Sequence, residues 1–294
     1  MRAAILSAGQ GWHVEALQRA FAARGHACAL LPIASLIAHI GPEARLASET
    51  TALERLDVVV VRTIPRGSLE QIIFRVDALH LLEARGVRVF NPARALERTV
   101  DKYFTSGLMA QAGLPTPRTI VCETSRQALE AFGELGGDVV VKPLFGSMGL
   151  GLVRIQDESL AYRVFKALEL ERAVYYLQEM IPHAGRDLRA FVLGGRVLAA
   201  MERVAEGWRT NLAQGARPRP ARLTAEQEQL CLRAAEVVGA DYAGVDLLPG
   251  ADGAPYLLEV NGIPGWQGLQ TVSEVDIAGA IVTYLEQAQA NAGG

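Results

Sequence analysis

The spacing of apolar positions along the chain changes period several times, and each change marks a new element. Near the start, "RAAILSA" and "ACALLP" are short apolar runs flanking "HVEALQRAFAARG", whose apolar residues recur every three or four positions. This predicts a strand, an amphipathic helix and a second strand. The alternation returns in "DVVVVRT", "SLEQIIFRVDALHLLEARG" and "VRVFNP", with Gly25 and Gly86 as helix stops. Apolar runs joined in this way predict βαβ units and a parallel sheet. Ligand-facing residues of such a sheet follow the carboxyl ends of its strands, which points to residues 7–12 and 62–68. Residues 26–42, "HACALLPIASLIAHIGP", read as a strand followed by a short helix and fall short of a bilayer span.

The pattern resets after Pro92. "ALERTVDKYFTSGLMAQAG" reads as one helix ended by Gly113, and the paired prolines of "LPTPRTIV" as a connector leading into a strand. A helix, "SRQALEAFGELGG", follows, and then "DVVVKPLFGSMGLGLVRI", two β-rich runs joined by a glycine-rich loop, which reads as a hairpin. A third unit opens at "AVYYLQEMI". It continues through the strand pair "LRAFVLGGRVLAAMERV", a helix over 224–239 and the pair in "YAGVDLLPGADGAPYLLEVN", and ends in a helix from Ser273. The expected architecture is α/β followed by α+β, in three units: 1–95, a Rossmann-like parallel-sheet domain; 96–175, with the glycine-rich loop; and 176–294, with the candidate metal site.

Composition narrows the function classes. A chain of 294 residues, half of them hydrophobic, can bury a large core in two or three units. The formal charge of -3 disfavours a nucleic-acid partner. Cys28, Cys122 and Cys231 form no CxxC pair, so neither a disulfide framework nor a zinc site is indicated, and a reducing cytoplasm fits. No secretion signal or membrane segment is expected. His13, His26, His39, His80 and His183 share no metal-ligand spacing, no GxSxG occurs, and "GQGWH" lacks the dinucleotide fingerprint.

The chemistry concentrates in two places. Gly146, Ser147, Met148 and Gly149 begin a glycine-rich loop just after Lys142. Glycines let backbone N–H groups approach phosphate oxygens and the lysine adds charge, although a plain hairpin turn would use the same residues. In "YLLEVNGIPGW", Glu259 and Asn261 lie two apart and so share one face of a strand, and Asp246 lies on the neighbouring run. Three hard oxygen donors converging there suit Mg²⁺; an edge Asp, a solvated Glu and a turn-starting Asn are the plain alternative. Asp187 and Arg189 could meet ribose and an anion, and Arg203, Arg209 and Asn211 could meet phosphate or simply decorate a hairpin.

Taken in order, "DK" at 101–102, "VVKPLFGSMGLGL", "LQEMI", "GRDLRAFVLGGRVLAAMERVA", "WRTN", "GVDLL" and "LEVNGIPG" resemble the ATP-grasp superfamily, and within it the RimK-like α-L-glutamate ligases, over about residues 62–268. The resemblance implies that ATP is gripped between two α+β subdomains. Lys102 and Lys142 would contact phosphate, with residues 146–151 as a mobile flap. Gln178, Glu179 and Ile181 would form the adenine hinge, Asp187 the ribose contact, and Arg209 and Asn211 further phosphate contacts. Asp246, Glu259 and Asn261 would hold Mg²⁺ or Mn²⁺, as two ions.

It further implies amide formation through an acyl phosphate, with Arg189, Arg203 and Arg209 as catalytic cations. The amino acid added would be L-glutamate, and the acceptor a small molecule, a cofactor or a protein. Residues 65–68 and "NGIPGWQG" would shape the acceptor pocket, where this chain departs most from its relatives. A homo-oligomer is the default expectation. The other reading is a non-catalytic ATP-binding regulatory protein of the same fold.

Overall fold

The computed structural model describes residues 1–146, 149–251 and 253–292. Its N-terminal part contains β1 (Arg2–Ser7), α1 (Trp12–Ala23), β2 (Ala27–Pro32), β3 (Leu36–His39), β4 (Arg45–Ser48), β5 (Thr51–Ala52), β6 (Val58–Val61), α2 (Leu69–Ala84) and β7 (Arg88–Phe90). Strands β2, β1, β6 and β7 form a parallel sheet in that order. Successive residues of β6 divide between two cores: Val58 and Val60 pack in one, Val59 and Val61 in the other. Burial on both faces explains why these strands are continuously apolar rather than alternating.

Residues 36–39, expected to be helical, instead form β3, which pairs with β4, and β4 with β5, in a small antiparallel sheet. Gly41 takes φ 138° between β3 and β4, so the Gly-Pro pair makes a turn rather than ending a helix.

Next come α3 (Ala93–Val100), α4 (Lys102–Gln111), β8 (Thr119–Cys122), α5 (Ser125–Glu134), β9 (Val139–Lys142), β10 (Val153–Ile155), α6 (Glu158–Leu170) and β11 (Tyr175–Glu179). The single helix expected over 95–112 is two, because Asp101 interrupts it and its carboxylate accepts the Phe104 N–H at 3.0 Å as an N-cap. Lys102 is thereby the first residue of α4. The hairpin of β9 and β10 forms as expected. Strand β11, assigned from sequence to the third unit, lies inside this sheet, whose order is β10-β9-β11-β8. Val139, Val141, Tyr175 and Leu177 pack into the core with α5 and α6. At a spacing of two, Val140, Lys142, Tyr176 and Gln178 take the opposite face.

The chain ends with β12 (Arg186–Leu193), β13 (Arg196–Val204), β14 (Arg217–Pro220), α7 (Ala225–Val238), β15 (Tyr242–Pro249), β16 (Pro255–Asn261), α8 (Gln267–Gln270) and α9 (Ile277–Ala292). The five strands form an antiparallel sheet ordered β14-β13-β12-β15-β16. One face, including Ala190, Val192, Val245, Leu247 and Val260, packs against α7. The other is split lengthwise. Phe191, Leu193, Met201 and Tyr242 join the core of the N-terminal sheet, together with Trp266 and apolar residues of α9. The remainder of that face, including Asp187, Arg189, Arg203, Asp246 and Glu259, is polar. The edge strand β14 carries Pro218 and Pro220.

Asn91, fully buried just after β7, ties the N-terminal sheet to this larger one. Its Nδ2 donates to the carbonyls of Tyr242 and Gly262 at 2.7 and 2.6 Å, and its Oδ1 accepts the Tyr242 N–H at 2.9 Å. Asn91→Ala strands these backbone groups in the core, so it is expected to destabilise the protein by about 3 kcal/mol. Urea unfolding of parent and variant measures this.

Candidate functional site

A cleft with about 900 Å³ of empty space, part of it open to solvent, lies between the four-stranded antiparallel sheet and the polar half of the five-stranded sheet. Lys102, Lys142, Gly146, Gly149, Gln178, Glu179, Ile181, Asp187, Arg203, Arg209, Asn211, Asp246 and Glu259 all line it. The structure thus gathers onto one cleft residues spread over more than 150 positions of sequence. Arg189 and Asn261 stand just behind or beside this wall. Ser147 and Met148 lie outside the described residues.

The floor is a buried ion network. Arg203 clamps Asp187 with two bonds, at 2.7 and 2.5 Å, and reaches Asp246 Oδ2 at 3.0 Å. Arg189 Nη1 donates to Asp246 Oδ1 at 2.7 Å. Strand register makes this possible: Asp187 is paired with Arg203, Arg189 with Asp246, and Asp246 with Glu259. Gly244 leaves room for Arg189, since a methyl there would run into the guanidinium. Burial opposes ionisation of Asp246, yet Arg189 and Arg203 outweigh it and hold the carboxyl below its ordinary range.

Two expectations change here. Asp187, expected to meet ribose, is 1% exposed, and its oxygens are engaged by Arg203 and by the Thr210 hydroxyl at 2.5 Å. Arg189, expected to hold a substrate anion, holds Asp246 instead.

Beside this floor stands the candidate metal set. Glu259 faces the cleft with no side-chain hydrogen bond or ion pair among the described residues. Asn261, two residues on and so on the same strand face, accepts the Ile263 N–H at 3.0 Å. A register shift after Asp246 sets Leu247 opposite Leu257. The bulge lets two consecutive residues, Leu258 and Glu259, both line the cleft. No cluster of three or more His, Cys, Asp or Glu occurs among the described residues, so a metal here would rely on the Asn261 amide as third protein donor. An all-oxygen set of two carboxylates and an amide fits Mg²⁺ chemistry.

The opposite wall is cationic. Lys142 Nζ donates to Gln178 Oε1 at 2.6 Å; burial, resisted by Glu259 and reinforced by Lys102, pushes its pKa down to about 8. Lys102 Nζ donates to the Gly146 carbonyl at 2.7 Å, and Arg209 Nη2 to the Leu152 carbonyl at 2.8 Å. A methyl on Gly149 would strike the Asn211 side chain. Three expected phosphate ligands therefore touch the described ends of the glycine loop. At the hinge, the Glu179 carboxylate accepts the Arg118 N–H at 2.7 Å. The Ile181 N–H has no partner among the described residues.

Sequence reasoning missed Thr210, Trp208 and the apolar lining residues Val140, Leu248 and Leu258. Val140 was within reach, because it lies two residues from Lys142 in a strand. Leu258 depends on the bulge, which leaves no local signal.

An α/β sheet followed by two antiparallel sheets clasping a cationic cleft is the architecture of an ATP-grasp ligase. A family model described as the RimK-like ATP-grasp domain matches residues 99–285. The chain belongs to that family. It is 36% identical over 284 residues, 95% of each chain, to the tetrahydromethanopterin:alpha-L-glutamate ligase of Methanococcus maripaludis. It is 32% identical to a probable alpha-L-glutamate ligase of an Enterobacter species over 98% of this chain and 96% of the other. Among solved structures, the ATP-grasp ligase PsnB complexed with minimal precursor, Mg and ADP superposes with a TM-score of 0.75 at 22% identity, covering 98% of both chains.

Breaking the ion network from one side leaves a buried carboxylate without its cation. Arg203→Met is expected to destabilise the protein by about 3–5 kcal/mol, measured by denaturant unfolding without added ligand.

Proposed function

We propose that the protein is an ATP-dependent carboxylate-amine ligase that adds L-glutamate to a small-molecule or cofactor acceptor. The observation that carries the reading is the charge left in the cleft once its internal pairs are formed. Arg189 and Arg203 neutralise Asp187 and Asp246, and Glu179 pairs with Arg118. Among the described residues, Lys102, Lys142 and Arg209 then face a single carboxylate, Glu259. An excess of positive charge in a partly buried cleft favours a polyanion such as a nucleotide triphosphate. The ligase names of relatives at 32–36% identity support the same reaction class, and tetrahydromethanopterin, named for one of them, is the first acceptor to try.

In this reading the base docks at the hinge, where the Ile181 N–H offers a donor, and the phosphates lie between Lys102, Lys142 and Arg209. Asp246, whose oxygens each keep a lone pair beyond their arginine bonds, would hold Mg²⁺ together with Glu259 and Asn261, and the ion would neutralise phosphate charge. Arg189 and Arg203 fix the ionised Asp246 and act as positioning residues. The unit boundary falls after Glu179, since β11 belongs with the hinge-side sheet.

The reaction proceeds in two displacements. An acceptor carboxylate oxygen attacks the γ-phosphorus, and the bond to the ADP oxygen breaks. The amine of L-glutamate then attacks the resulting acyl carbon. The C–N bond forms, the C–O bond to phosphate breaks, phosphate leaves and the amine gives up its proton. Lys102, Lys142 and Arg209 stabilise the negative charge carried by the phosphoryl oxygens. No protein nucleophile is required, and the flap excludes water from the acyl phosphate.

Incubation with ATP, Mg²⁺, L-glutamate and tetrahydromethanopterin or other candidate acceptors, followed by mass spectrometry, is expected to give a product one or more glutamyl residues heavier. ATP binding with no amino-acid-stimulated phosphate release would favour the regulatory alternative. Glu259→Ala combined with Asn261→Ala is expected to abolish metal-dependent turnover.

Lys142 adds a pH test. Its charge is present below about pH 8 and is lost above, so affinity for Mg-ATP is expected to fall as pH rises through that value. Lys142→Arg, which stays charged, is expected to remove this alkaline limb. Lys142→Ala is expected to weaken binding roughly 10- to 100-fold at neutral pH. Calorimetric titration across pH measures all three.

A further inference from the structure

The residues following β1 and β6 were singled out by topology, and the ATP cleft does not absorb them. In a sheet ordered β2-β1-β6-β7, the chain leaves β1 to one side for β2 and returns on the other for β6. The crevice between the carboxyl ends of β1 and β6 is therefore the topological switch point, where open parallel sheets place their ligands. Arg62 is the residue that follows β6.

Arg62 is 8% exposed and has no acidic partner among the described residues. Its Nη1 donates to the Tyr242 hydroxyl at 3.1 Å, while its Nε is buried without a hydrogen-bond partner among the described residues. The guanidinium lies over the Trp266 ring, 4.7 Å from the centroid. Trp266 is 1% exposed and its Nε1 is a second buried donor without a partner among the described residues. His13 stands edge-on to the Trp266 ring, with centroids 4.7 Å apart. His13 accepts the Trp266 and Gln267 N–H groups through Nε2, at 2.9 and 3.2 Å, and burial together with Arg62 lowers its pKa to about 4.

A buried guanidinium without a counter-ion is costly, and among the described residues the other buried arginines, Arg75, Arg189 and Arg203, each have an acidic partner or a carbonyl acceptor. Two stacked side chains with unpartnered donors call for an anion that accepts hydrogen bonds, and a carboxylate matches the fork of arginine.

The position says which carboxylate. Tyr242, Gly244 and Asp246 alternate along β15 and share one face, so the Tyr242 end lies about 13 Å along the strand from Asp246. The hinge lies on the opposite side of Asp246 from Tyr242. With nucleotide filling the hinge side, Arg62, bonded to the Tyr242 hydroxyl, stands at the end of β15 away from it.

We propose that Arg62, assisted by the Trp266 indole N–H, binds a carboxylate of the incoming amino acid and so selects the amine donor. This rests on the ligase reading above and adds the residue that recognises the donor. Arg62 is a binding residue here, distinct from the phosphate-facing cations.

The test is calorimetric titration of L-glutamate into the full chain loaded with Mg²⁺ and a non-hydrolysable ATP analogue. Arg62→Met is expected to weaken L-glutamate roughly 10- to 100-fold, with ATP-analogue affinity unchanged within about twofold. Arg62→Lys keeps the charge without the fork and is expected to fall between parent and Arg62→Met, which guards against a loss that is only misfolding. Trp266→Phe, which keeps a ring but removes the N–H, is expected to weaken L-glutamate several-fold.

L-glutamine and the α-amide of L-glutamate, titrated in turn, identify the carboxylate that is read, since its amide loses affinity in the parent but not in Arg62→Met. The proposal is overturned if Arg62→Met binds L-glutamate as the parent does, if analogue and L-glutamate weaken together, or if the loaded parent binds no L-glutamate. Weaker binding of tetrahydromethanopterin with L-glutamate unchanged overturns it too, moving the carboxylate to the acceptor. The ligase reading fails on different grounds, namely parental phosphate release that no amino acid stimulates.

Discussion

Two aspartates and two arginines buried on one face of a β-sheet are tolerable only because they neutralise one another. Arg189, Asp246, Arg203 and Asp187 do so across β12, β13 and β15, with the Thr210 hydroxyl taking a remaining acceptor site. The pairing uses strand register, so it cannot shift without moving the whole sheet. Everything else in the cleft is arranged around that neutral floor. Because the floor's charges pair with one another, the lysines opposite it are left with Glu259 as the carboxylate that has no ion pair of its own among the described residues. The stability cost of the floor is the condition for the polarity of the site.

The second constraint is the shared core. The five-stranded sheet divides one face between the cleft and the apolar cluster that includes Phe191, Tyr242 and Trp266. That cluster also contains Ile5, Leu17, Val60 and residues of α9, so the parallel sheet and the sheet carrying the metal candidates pack as one body. Asn91 adds directional bonds at the same junction. The orientation of Arg62 relative to β15 is consequently set by packing rather than by a linker.

Much of this was legible in the sequence because period and chemistry agreed. Strands of β-branched residues, helices with Gly stops and the spacing of Glu259 to Asn261 gave most elements and the cleft membership of nearly every charged candidate. The errors came where one side chain or one pairing overrode the local pattern. Asp101 interrupted an otherwise good helix by capping a new one. The run at 36–39 took a strand partner nine or so residues away, and β11 was claimed by the hinge-side sheet. Partner choice was the least readable feature: Asp187 and Arg189 were expected to meet a substrate, and only strand register sets them against Arg203 and Asp246.

The two edges of the large sheet carry a consequence for self-association. On β14, Pro218 and Pro220 have no N–H to offer a neighbouring strand. On β16, the Leu257 N–H is already taken by the Pro115 carbonyl at 2.7 Å. Each border therefore lacks at least one donor that a strand added there would use. A strand laid along either border of this sheet would have to do without those bonds, so the spacing of the charges on the sheet is set by its own five strands.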